Sequence, residues 1–133
     1  CALPICDGEV EILARIEKNL AEEPLAGFVA EGTVPNGGVI RVMDAALKKA
    51  IYSGMPVVTV GRGNAEGISS RSRDSLTIGG SNLTANKARI LLMACLMKLG
   101  SLPPAKDPEA PTPDEVKAVK AKVAQFQAIF DTH

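Results

Sequence analysis

The sequence predicts an α/β fold: a small three-layer sandwich with a four-stranded parallel sheet and helices on both faces. Three observations carry this. Short apolar runs alternate with longer segments of helical period. The run Val57-Val58-Thr59-Val60 is continuous and β-branched, the pattern of a strand covered on both sides. Glycine-rich turns lead out of the strand candidates. Such alternation implies right-handed crossovers and a parallel sheet. At 133 residues the chain reads as one domain, 1–133, long enough to bury a core.

Ala2-Leu3-Pro4-Ile5 is a short first strand. Residues 9–22 form a helix with Val10, Leu13, Ile16 and Leu20 on one face and solvent behind, ended by Pro24. Residues 26–30 are the second strand, and 31–38 a turn containing Gly32-Thr33-Val34-Pro35-Asn36-Gly37-Gly38. A second helix spans 39–53, with Val39, Met43, Leu47 and Ala50 inward and Gly54 as its stop. Val57 to Val60 is the third strand and Leu76-Thr77-Ile78 a weak fourth. The third helix, 84–99, is capped by Thr84 and closed by Gly100. It is apolar all round from Ile90 to Met97, which predicts deep burial, with Met93 and Met97 as core filler. A proline-rich connector over 100–112 leads to the last helix. There Thr112 caps, Pro113 fits the first turn and Glu115 completes a capping box. Val116, Val119, Val123, Phe126 and Phe130 form its inward stripe. There is no internal repeat.

Composition excludes several functions. Fifteen basic and fifteen acidic residues balance, so no basic stripe marks a nucleic-acid binder and no acidic tail an interaction arm. Three Phe, one Tyr and no Trp leave little for base stacking. No apolar run reaches membrane-spanning length. The cysteines are Cys1, Cys6 and Cys95, and Cys95 reads as a buried free thiol. With His133 the lone histidine, a zinc site would need scattered residues to converge. The chain opens on Cys1, without a methionine. An apolar continuation in place of a polar tether favours a fragment over a lipoprotein, with any targeting signal upstream. A cytoplasmic location is the expectation.

Ligands of open parallel sheets gather at the carboxyl ends of the strands. Two loops qualify. The turn 32–38 precedes a helix start whose free N–H groups could hold a carboxylate, or could simply be a tight turn needing glycine. The loop Gly61-Arg62-Gly63-Asn64-Ala65-Glu66-Gly67 superficially resembles a dinucleotide fingerprint. Its third glycine comes one residue late and no helix follows, so a nucleotide cofactor is not expected. Residues 69–75, with four Ser, two Arg and Asp74, read as a surface loop open to phosphate or subunit contact. Lys87 and Arg89 read as snorkelling or edge-paired cations. Thr33 and Thr84 are threonines without an activating base, and Thr84 is explained as a cap. No catalytic residue, metal or cofactor is assigned.

Four pieces of the chain, in order, resemble the C-terminal domain of the bacterial-type L-asparaginase/glutaminase family. They are the strand and turn over 25–38; the helix, glycine stop and strand over 45–59; Arg62 with Gly67; and Leu83-Thr84-Ala85-Asn86-Lys87-Ala88-Arg89-Ile90-Leu91-Leu92, the most specific. The resemblance implies a two-domain amidohydrolase that converts asparagine, sometimes glutamine, to the acid and ammonia. Its threonine nucleophile belongs to an N-terminal catalytic domain that this chain does not contain. This half is then expected to provide subunit contacts and to close a neighbouring subunit's active site. The resemblance assigns substrate binding to Asn36, in the glycine-rich turn, and to Asp74, the nearest carboxylate in the acid-bearing loop. It also implies the partners: the chain's own N-terminal catalytic domain, a neighbouring subunit in a homodimer or homotetramer, and an asparagine-like small molecule. Neither nucleic acid nor a membrane is among them. The rival is a free-standing α/β small-ligand-binding or regulatory module. A phosphate-ester or nucleotide binder using the Gly32 turn is a third reading.

Overall fold

A computed structural model describes residues 14, 17–18, 21–22, 25–32, 41–61 and 76–132. Its elements are β1 Phe28–Gly32, α1 Arg41–Tyr52, β2 Val57–Gly61, β3 Ile78–Gly79, α2 Ala85–Leu99 and α3 Pro113–Phe130. The three strands lie in the order β1-β2-β3, all parallel. The α/β class and parallel sheet are as the sequence predicts. The strand number differs: among the described residues the sheet has three strands, not four. The run 2–5 lies outside the described residues, and the weak strand at 76–78 is reduced to Ile78–Gly79. Residues 14, 17, 18 and 21, within the predicted first helix, are helical and exposed.

The register runs Phe28↔Val57 to Gly32↔Gly61, then Val58↔Ile78 and Thr59↔Gly79. Val57 and Val58 point to opposite faces of the sheet, and both are fully buried, so β2 is covered on both sides at this level. That is why the run has no polar alternation. α1 packs on β2, α2 on β1 and β2, and α3 on β3. Met43, Leu47 and Ala50 on α1, and Val119, Val123, Phe126 and Phe130 on α3, are buried at the predicted positions.

Helix ends obey local chemistry. The Thr84 hydroxyl accepts from the Lys87 N–H, and the Gly100 N–H donates to the Leu96 carbonyl at 2.9 Å with φ at +75°. Gly54 stops α1 with φ at +103°. At α3 both halves of the capping box form. The Glu115 carboxylate accepts from the Thr112 N–H at 2.8 Å and from the Lys106 N–H at 3.0 Å. These backbone donors, Thr112 first, hold its carboxyl below the usual 4.5. A depressed carboxyl contributes stability above its unfolded value, and that contribution vanishes as pH falls through the folded value. Gln has one acceptor oxygen where two are used. The E115Q variant is therefore expected to melt below the parent at pH 7, with the gap closing below about pH 4. Paired melting curves from pH 7 to 3 check this.

The third helix corrects the sequence reading. Ala88, Leu92 and Cys95 are buried, but Ile90 is 69%, Met93 55% and Met97 89% exposed. Met93 and Met97 are not core filler. A helix apolar on every side carries no directional information, and this one has a single sheet to pack against. Lys87 and Arg89 are exposed, with no ion-pair partner among the described residues. Cys95 is free and buried, and burial pushes its thiol up.

Close approach explains one glycine after the sheet. A Cβ on Gly80 would stand 2.5 Å from Val60 Cγ1 and 3.0 Å from the Thr59 carbonyl oxygen. Val60 is fully buried and cannot yield freely. Gly80→Ala is expected to cost about 1–3 kcal/mol through overpacking. Urea titration reads this as a lower midpoint at unchanged slope.

Candidate functional site

Chemistry in this architecture belongs at the carboxyl edge of the sheet. Gly32 and Gly61 are register partners at that edge, so the segments 33–40 and 62–75 leave the sheet from adjacent strands, roughly 4.8 Å apart. Both segments lie outside the described residues, and with them Asn36, Asp74, Arg62 and Gly67. The framework nevertheless constrains the two proposed substrate contacts. Asn36 comes four residues after Gly32, on the carboxyl side of β1. Asp74 comes four residues before Ile78, on the amino side of β3. In chain order Asn36 thus follows a strand and Asp74 precedes one.

After β3 the edge turns through Gly80-Ser81-Asn82-Leu83. The Gly80 N–H donates to the Thr59 carbonyl at 2.8 Å, and the Leu83 N–H returns to the Gly80 carbonyl at 3.1 Å. Ser81 has φ at +52°, the only positive value at a non-glycine residue among those described. The turn delivers the chain to the Thr84 cap, so both candidate threonine positions are accounted for: Thr84 as a cap and Thr33 as outside the described residues.

The free edge of β3 is occupied. The Gly79 N–H donates to Gln127 Oε1 at 2.7 Å, and Gln127 Nε2 donates to the Gly79 carbonyl at 3.2 Å. The same nitrogen donates to Asp131 Oδ1 at 2.8 Å. One side-chain amide thus stands where a further strand would pair. Sequence reasoning missed this, since nothing local links residues 48 apart in the chain.

Two concavities are described, and both lie away from the carboxyl edge. A groove of about 190 Å³ runs between Leu25 and Val29 on one side and Arg89, Met93 and Leu96 of α2 on the other. An open cleft of about 510 Å³ lies between Glu17, the second half of α1 and the connector at Pro108 and Pro111. Its rim is charged and internally paired. Lys48 meets Asp44 at 2.8 Å, and Lys49 meets Glu109 at 3.3 Å. The hydrogen bond that Lys48 donates to the Asp44 carboxylate raises the Lys48 pKa above its usual value. Among the described residues no three His, Cys, Asp or Glu side chains group as metal ligands. None of the described helices is long and apolar enough to cross a membrane.

Compared with known proteins, the chain matches the model of one family, described as Glutaminase/Asparaginase C-terminal domain, over residues 9–104. Comparisons with curated proteins and with solved structures give no match.

Proposed function

This chain belongs to the glutaminase/asparaginase C-terminal domain family, and from that premise we propose that it serves as the non-nucleophilic half of an asparaginase-like amidohydrolase. In the whole enzyme, L-asparagine becomes L-aspartate and ammonia. This half contributes subunit contacts and closes the active site, and the nucleophile comes from elsewhere. The observation that carries the reading is the family match across 9–104, which spans all three strands and the whole of α2.

In this proposal Asn36 and Asp74 contact the substrate. Asn36 offers an amide to the substrate's polar groups. Asp74 pairs with its ammonium, a charge-assisted contact. Helices on both sheet faces, a homo-oligomeric assembly and a cytoplasmic location belong to the same proposal. The fold supports it through the position of segments 33–40 and 62–75, which leave neighbouring strands at the edge where parallel sheets bind ligands.

The chain by itself is expected to release no ammonia from asparagine or glutamine above a heat-killed control. A coupled ammonia assay measures this, and turnover by the isolated chain refutes the proposal.

A further inference from the structure

The chain has four methionines, and the fold sorts them into two kinds. Met43 and Met55 are buried, at 2% and 4% exposure. Met43 belongs to the core cluster with Leu47 and Ile51. Met93 and Met97 lie on α2, at 55% and 89% exposure. Four residues apart in a helix, they are neighbours on one side of it.

A thioether reacts with a peroxide without ionising, so access to the sulfur governs its rate. A cysteine must first become a thiolate. Cys95 lies two residues from each of the two methionines, and residues so spaced do not share a helix face. It is 2% exposed, and burial favours its protonated thiol. Helix α2 thus turns outward the two sulfurs that need only access and inward the one that needs ionisation.

We propose that Met93 and Met97 form a paired oxidation site for hydroperoxides, whose modification turns this face of α2 polar and leaves the fold intact. The sulfur lone pair attacks the hydroxyl oxygen of the peroxide. The O–O bond breaks, and the proton of that oxygen passes to the departing hydroxide or alkoxide, which leaves as water or an alcohol. Each thioether loses two electrons to become a sulfoxide, and each peroxide gains two. The sulfoxide is polar where the thioether was apolar. Ile90, Met93 and Met97 are the exposed large apolar residues among those described. Two of the three accept oxygen, so the reaction removes most of the apolar character of that surface. The proposal needs only accessible sulfur and is independent of the amidohydrolase reading.

The test treats the intact chain with excess hydrogen peroxide at pH 7 and follows each methionine by peptide mapping. Met93 and Met97 are expected to oxidise about tenfold or more faster than Met43 and Met55, and the difference vanishes in concentrated urea. The chain carrying both sulfoxides leaves a hydrophobic-interaction column earlier. Its circular dichroism is unchanged, and it melts within about 3 °C of the untreated chain. The variant M93L/M97L takes up no oxygen in the fast phase and keeps its retention after peroxide. Slow oxidation of Met93 and Met97, at the rate of Met43 and Met55, is the result expected if a second copy or another segment of this chain covers them, and it overturns the proposal. A rate difference that survives in urea, a larger loss of melting temperature or an unchanged retention overturns it equally.

Discussion

Phe126→Ala is expected to remove a large share of the stability of this protein. Phe126 is fully buried and belongs to the same contiguous core as Val58, Val60 and Ile78. It sits on α3, which covers β3, and β3 is only two residues long. So short a strand contributes few ladder hydrogen bonds of its own and depends on what packs over it. Truncation loses the transfer free energy of the ring and leaves a cavity that rigid neighbours close only in part, a cost of about 3–5 kcal/mol. Domains of this size hold about 5–15 kcal/mol in all. The melting temperature is expected to fall by on the order of 10–20 °C. Phe126→Leu, which keeps more of the volume, is expected to lose about half as much or less. Calorimetry on both variants checks the result, and equal losses would show that volume is not the cause.

The sequence makes legible the features that local chemistry decides. Thr112, Pro113 and Glu115 announce the start of α3 because the capping box forms within four residues. Gly54 and Gly100 mark helix ends because they adopt positive φ. The stripe from Val119 to Phe130 gives the buried face because the opposite side is polar. The continuous valines of β2 give burial on both sides for the same kind of reason.

Long-range facts were hidden. In α2 the apolar residues cover the whole circumference, so periodicity could not say that Ala88, Leu92 and Cys95 face inward while Met93 and Met97 face out. The direction is set by where the sheet lies, which is tertiary information. The run at 76–78 read as a weak strand. Its pairing stops after Gly79, where Gly80 packs against Val60 with no room for a side chain. The candidate site is legible only as a location: the sheet fixes where the two loops depart, while Asn36 and Asp74 themselves lie outside the described residues.

Gln127 gives the second large effect, adjacent in sequence to Phe126 and opposite in kind. Gly79 turns its N–H and carbonyl away from β2, since the neighbouring Gly80 N–H is the one that donates to Thr59. Those outward groups form a sheet edge, and exposed edges invite pairing with another chain. The Gln127 amide satisfies both at once and is held in place by Asp131. Gln127→Leu has similar volume but no polar atoms. It leaves a partly buried donor and acceptor without partners, at a cost of about 1–3 kcal/mol. Gln127→Glu keeps the acceptor for the Gly79 N–H but loses the donor to the carbonyl and places a charge beside Asp131. It is expected to fall between the parent and the leucine variant at pH 4 and to drop toward it at pH 7, as the introduced carboxyl ionises. Because the leucine variant also uncovers the edge, its losses extend beyond melting temperature. Light scattering at raised concentration is expected to show association in Gln127→Leu that the parent lacks. A leucine variant that melts with the parent and stays monodisperse would mean that water satisfies Gly79 as well as the amide does, and that the edge needs no guard.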